Sequence, residues 1–113
     1  MFSMKLQQPH YDNVKEGYKI YEIRPNDDKR QQMKIGDTIV IYNNDDDSSS
    51  YQVVITDKHY FKDFKDAIEG SELKKLLPNV NTVNEAIELY ESFPNYIEKS
   101  EKYGIVRFTL NKK

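Results

Sequence analysis

Apolar and polar positions change period several times along this chain, and each change marks an element. Thr38 to Tyr42 (TIVIY) is a short continuous apolar run, as in a strand covered on both faces. Tyr51 to Asp57 (YQVVITD) reads as its hairpin partner, and Ile105 to Leu110 (IVRFTL) sets Val106, Phe108 and Leu110 against Ile105, Arg107 and Thr109, a two-faced strand near the C-terminus. Lys19 to Arg24 (KIYEIR) alternates before Pro25 stops it, which puts Ile20, Glu22 and Arg24 on one face and Lys19, Tyr21 and Ile23 on the other. Ser3 to Leu6 supplies a short first strand.

Helical spacing appears elsewhere. Tyr11 and Val14 share a face within Pro9 to Glu16, ahead of Gly17. Phe61, Phe64 and Ile68 recur until Gly70, and Leu73, Leu76 and Leu77 follow until Pro78. The clearest helix runs from Thr82 to Phe93: Thr82 and Glu85 form a capping box, Val83, Ala86, Ile87 and Tyr90 make one apolar stripe, and Pro94 marks its end. Asn26 to Gln32 reads as a polar connection and Lys34 to Asp37 as a turn. Asn43 to Ser50 (NNDDDSSS) reads as a solvated hairpin loop, because its side chains compete for backbone hydrogen bonds. Its consecutive carboxylates point in different directions and match no calcium loop.

About five strands, with a helix after the first and a helical insertion before the last, are not the regular alternation of a doubly wound sheet. Strands this short and few bury their apolar faces most economically by closing on themselves. The expected class is α+β, mainly β: a single domain over residues 1–113, built as a small barrel of about five to six strands with helices outside.

Composition narrows the function. The 113 residues include 9 Tyr and 5 Phe, and 17 Lys plus Arg against 19 Asp plus Glu give a net charge of −2. That balance speaks against a broad electrostatic grip on long duplexes. Asp45, Asp46 and Asp47 account for the acidic excess, since the other residues sum to +1. With no Cys, disulfides and thiol chemistry are excluded, and two His, at 10 and 59, are too few for a His-based metal site. His10 and His59 read as surface or turn residues. No apolar run is long enough for a membrane span or a secretory signal, so a cytoplasmic location is expected, with no membrane or metal partner, no cofactor, and a monomer favoured over an oligomer.

The chemistry concentrates in Gly17-Tyr18-Lys19-Ile20-Tyr21-Glu22-Ile23-Arg24, where a cation, a carboxylate and a guanidinium share a strand that must also be buried. Two readings stand: an ion pair that only stabilises the barrel, or the lining of a pocket. A nucleotide pocket needs a cation for phosphate, a planar donor, an acceptor and an aromatic face. Lys19, Arg24 and Glu22 meet the first three needs, and Tyr11 and Tyr103 are candidate aromatics. Lys29 and Arg30 are placed to extend a phosphate track. Alternation separates Lys19 from Glu22, so a shared site requires a bulge, a strong twist, or Lys19 at the mouth of the strand just after Gly17.

Gly17, Lys19, Glu22 and Arg24, the following Lys34-Ile35-Gly36-Asp37-Thr38-Ile39 and the closing Tyr103-Gly104-Ile105-Val106 resemble the ASCH domain, a member of the PUA-like superfamily, from about Met4 to Leu110. The resemblance implies a PUA-like barrel with a ligand cleft beneath it and an RNA- or nucleotide-binding role; Lys19, Glu22, Arg24, Lys29, Arg30, Tyr11 and Tyr103 are the residues whose chemistry suits such a ligand.

It also implies an alternative, a hydrolase with Lys19 and Glu22 as catalytic groups. One branch is similar to ribonucleases. Another looks like an N4-acetylcytidine amidohydrolase, with a Lys at the position of Lys19, a Thr at that of Glu22, and a Glu before the long helix. In this chain Glu22 replaces the hydroxyl nucleophile and Pro78 to Asn81 holds no carboxylate, so two of the three groups are missing.

Overall fold

A computed structural model describes residues 1–113, the side chain of Asp47 apart. Five strands and six helices follow in the order β1 (Phe2–Leu6), α1 (His10–Lys15), β2 (Tyr21–Pro25), α2 (Asp28–Gln31), β3 (Thr38–Asn43), β4 (Asp46–Phe61), α3 (Phe64–Glu69), α4 (Leu73–Leu76), α5 (Val83–Glu91), α6 (Tyr96–Tyr103) and β5 (Ile105–Lys112). They form one sheet in the order β1-β3-β4-β5-β2. Only β1 and β3 run parallel; the other pairs are antiparallel.

The sheet curls into a half-barrel, consistent with a small PUA-like fold. Its interior holds Met4, Leu6, Ile39, Ile41, Val53, Ile55, Val106, Phe108 and Leu110, with Tyr11 and Val14 of α1 as a plug at one end. Alternation is obeyed on β5, whose Val106, Phe108 and Leu110 point inward while Ile105 turns out to a second core. That outer core joins Ile23 of β2 to Phe64, Ala67 and Ile68 of α3, Leu76 and Leu77, and Ala86 and Tyr90 of α5. Each fully buried aliphatic side chain among these is worth about 1.5–3 kcal/mol relative to exposure.

The sheet's two edges, β1 and β2, meet through a side chain rather than a ladder: Arg24 Nη2 donates to the Lys5 carbonyl at 3.4 Å, and beside it Lys29 Nζ of α2 donates to the Ser3 carbonyl at 2.8 Å. A closed barrel would have no such seam, and here it becomes the rim of a cleft.

Three expectations change. The Asn43 to Ser50 loop shrinks to a turn at Asn44 and Asp45: the backbone of β4 already pairs at Asp46 with Asn43, through an irregular register beside Tyr42. The Asn43 side chain accepts from the Asp45 N–H at 2.9 Å and tightens that turn. The polar connection after Pro25 contains α2, capped by Asp27, whose carboxylate accepts from the Arg30 N–H at 3.2 Å. Phe61, grouped with the helical stripe of Phe64 and Ile68, instead closes β4, and α3 begins at Phe64. Pro94 does follow the end of α5, after which Asn95, at φ 67°, reverses the chain into α6. The capping box does form, with the Glu85 N–H donating to Thr82 Oγ1 at 3.1 Å. No helix among the described residues is long and apolar enough to cross a membrane.

Candidate functional site

Gly17 starts the construction of the site. Its φ of +85° is open to glycine and strained for other residues, and it lets the chain turn sharply out of α1. Lys19 then lies ahead of β2, its backbone N–H bonded to the Asn13 carbonyl at 3.0 Å, and the Ile20 N–H reaches the Lys75 carbonyl at 2.8 Å. Because Lys19 is not yet on the strand, alternation does not bind it, and its side chain folds back beside Glu22.

The Lys19 side chain is 1 % exposed, and its Nζ donates to the carbonyls of Tyr21 at 2.7 Å and Leu76 at 2.6 Å. The Leu76 carbonyl closes α4, so this ammonium also caps a helix end. Its remaining proton faces Glu22 Oε1 at 3.5 Å. On the other carboxylate oxygen, Arg24 Nε donates to Glu22 Oε2 at 2.7 Å.

Burial pushes the Glu22 carboxyl up, but Arg24 and Lys19 more than offset it and hold the group below the usual carboxylate range. Burial lowers Lys19, with Glu22 opposing. Glu22 outweighs burial at Arg24, whose pKa is raised. The Glu22 carboxylate lies between two cations, and the Lys19 amine points at two backbone carbonyls as well as at that carboxylate. The triad makes a rigid charged floor.

That floor opens into a cleft of about 230 Å³ lined, besides the triad, by residues of β1 and its following turn, by His10, and by Tyr90 of α5, Phe93 of the α5–α6 connection and Tyr96 of α6. The aromatic wall is ordered by stacking: Phe64 lies parallel to Tyr90 at 5.4 Å and to Tyr96 at 5.8 Å, and Phe93 meets Tyr96 edge-on at 5.2 Å. Burial raises the Tyr90 phenol well above its ordinary value, so it remains a donor. Burial, then Lys19, lowers His10, which favours the neutral imidazole. The Tyr90 hydroxyl and His10 Nδ1 are both buried without a hydrogen-bond partner.

The structure therefore brings Lys19, Glu22 and Arg24 together. It sends the other sequence candidates elsewhere. Tyr11 is 3 % exposed in the barrel core, its hydroxyl 2.7 Å from Ser49 Oγ. Tyr103 closes α6 under Lys102, whose Nζ is 5.1 Å from the ring centroid, and does not line the cleft. Arg30 pairs with its own helix cap, Asp27, at 3.3 Å. Lys29 is exposed and meets β1 at Ser3, two residues from the Arg24 contact at Lys5.

Sequence reasoning missed His10, read as a surface residue, and Phe93 and Tyr96, which carried no signal. It counted Tyr90 as helix stripe, though a hydroxyl on an apolar face already asks where its hydrogen bond goes. Among the described residues, no group of three or more His, Asp or Glu is arranged to hold a metal ion.

Comparison with known proteins fits this geometry. The family model of the ASCH domain matches residues 4–112. The crystal structure of hypothetical protein PH0355 superposes with a TM-score of 0.87 at 28% identity, covering 99% of this chain and 98% of that one. The solution NMR structure of protein PF0455 from Pyrococcus furiosus gives 0.75 at 29% identity, over 98% and 96%. Among curated proteins none matches the chain.

Proposed function

The chain belongs to the ASCH domain family, and from that membership and the cleft we propose that it is a cytoplasmic, monomeric module that binds single-stranded RNA or a nucleotide between β1 and β2. Membership supports RNA binding at the level of the family. The observation that carries the reading to this cleft is the Arg24 guanidinium, which commits Nε to Glu22 and one Nη2 contact to Lys5 and lines a cavity walled by Phe93 and Tyr96. A planar donor beside an ionised acceptor and aromatic faces is the equipment a base requires. Lys19 acts in this scheme as a positioning residue that holds Glu22, not as a phosphate ligand. Lys29, exposed along the seam, is the phosphate contact for a strand leaving the cleft.

The test is fluorescence anisotropy with a short single-stranded RNA. Arg24→Ala is expected to weaken binding by about tenfold or more, as for loss of a charged hydrogen bond. Phe93→Ala, which leaves the ion pairs intact, should weaken it through loss of stacking. Lys29→Ala should reduce the slope of log K against log salt by about 0.7. Unchanged affinity in folded Arg24→Ala and Phe93→Ala would overturn the reading.

A further inference from the structure

We propose, resting on the reading above, that RNA binding in the cleft takes up a proton at His10, so that affinity rises as pH falls. The inference comes from a titratable ring that the fold keeps beside charges whose balance an anionic ligand changes.

His10 opens α1 and lines the cleft half-buried, together with Lys19, Glu22 and Arg24. Two cations against one carboxylate leave the floor with a net charge of +1, and that carboxylate is already committed to Arg24 on one oxygen and Lys19 on the other. From the remaining sides, β1 presents Lys5, and α5 and α6 present the phenols of Tyr90 and Tyr96 rather than carboxylates. On α1 itself, Asp12 and Lys15 are exposed. His10 Nδ1 is enclosed without a partner, so no acceptor of the protein meets a proton on that nitrogen. Burial, then Lys19, hold the ring below its ordinary 6.5; Glu22 opposes them and Arg24 adds to the depression. The free protein therefore keeps His10 neutral at pH 7.

RNA changes this balance without any hydrogen bond to the ring. Every nucleotide of a strand carries a phosphodiester anion. The cleft is small, about 230 Å³, so a nucleotide seated in it brings that anion within about the 8–10 Å over which charges are felt through physiological salt. An added negative charge favours the imidazolium. Binding and protonation are then reciprocal: RNA raises the ring's affinity for a proton by the factor by which the proton raises affinity for RNA. The sign follows from the proton count. Between the free and the bound titration midpoints of His10 the complex holds more protons than the free protein, so affinity climbs as pH falls through that window and levels off below it.

The chain has only two histidines, which makes the test clean. His59 sits on β4 against Phe61, with ring centroids 4.9 Å apart, and does not line the cleft. Fluorescence anisotropy with a short oligouridylate, whose uracil and phosphodiester groups do not titrate between about pH 5.5 and 7.5, follows affinity across that range for wild type, His10→Gln and His59→Gln. Wild type should bind about five- to tenfold tighter at the acid end. His10→Gln should flatten the profile and His59→Gln should keep it. Proton NMR of the imidazole rings in wild type, assigned through His59→Gln alone, should show the His10 midpoint moving up when the protein is saturated with the RNA while that of His59 stays. A profile that survives in His10→Gln, equal flattening by His59→Gln, or a His10 midpoint that RNA leaves in place would overturn the proton linkage and leave RNA binding standing. Absence of binding by wild type at every pH would overturn the linkage and the RNA-binding reading together.

Discussion

Lys19 Nζ lies 3.5 Å from the Glu22 carboxylate, across a spacing that strict strand alternation assigns to opposite faces. The contact exists because the strand begins at Tyr21, so Lys19 is free to fold back. It makes the triad a unit: each cation is tolerated in the interior because the carboxylate lies between them.

Glu22→Gln should therefore destabilise the fold by about 3 kcal/mol, since it keeps the side-chain shape but leaves the buried Lys19 ammonium without its counter-charge. Urea denaturation reads this as a lower midpoint at unchanged slope. A loss well under 1 kcal/mol would mean that water already screens Lys19, contrary to its burial.

Acid sensitivity follows from two depressed groups. The His10 pKa lies below its ordinary 6.5 in the fold, so in the window just under 6.5 the unfolded chain binds more protons than the folded one. Stability consequently rises with pH there and is lost as pH falls. Glu22, also depressed, contributes in full above its ordinary 4.5, and its share disappears as pH falls through the lower folded value. Urea midpoints for wild type should decline in two stages, beginning near pH 6.5 and steepening below pH 4.5, whereas His10→Gln should lack the first stage. Parallel curves for the two proteins between pH 5 and 6.5 would remove His10 from the account.

What the sequence revealed, and what it hid, divides along range. Period 2 on β5 and period 3.6 on α5 are local signals, and Val106, Phe108 and Ala86 went to the interiors those periods imply. Thr82 and Glu85 named their own cap. The position of Lys19 was legible only as one of three open possibilities, because Gly17 permits a turn without specifying its direction. The aromatic wall was illegible: Phe93 and Tyr96 flank Pro94, and nothing in their spacing tells that the chain reverses at Asn95 and brings both against β2. Asp27 shows the same limit in reverse. A polar segment read as a loop became α2 because one side chain capped it.

Strand alternation also explains why Arg107 sits outside the barrel, and the last prediction tests its surroundings. Its guanidinium lies over Tyr21 at 4.5 Å and Phe61 at 5.2 Å, and Nη1 donates to the Gly70 carbonyl at 2.8 Å. Gly70 has an ordinary φ of −83°, so its backbone alone would accept alanine. Space would not: an added Cβ meets a Phe61 ring carbon at 2.8 Å and the Asp66 carbonyl at 3.1 Å. Moving the Phe61 ring disturbs the stack that holds Arg107, and Gly70→Ala should lower stability by about 1–3 kcal/mol, as overpacking does. Gly17→Ala meets nothing within 4 Å and fails for another reason, its φ of +85°, at a cost of about 1–2 kcal/mol. The two mechanisms separate in a double substitution: Phe61→Leu shortens the ring that clashes and should recover part of the loss at Gly70→Ala but none at Gly17→Ala. Thermal denaturation of the four variants checks this, and equal behaviour of Gly70→Ala with and without Phe61→Leu would place the clash on the Asp66 backbone instead.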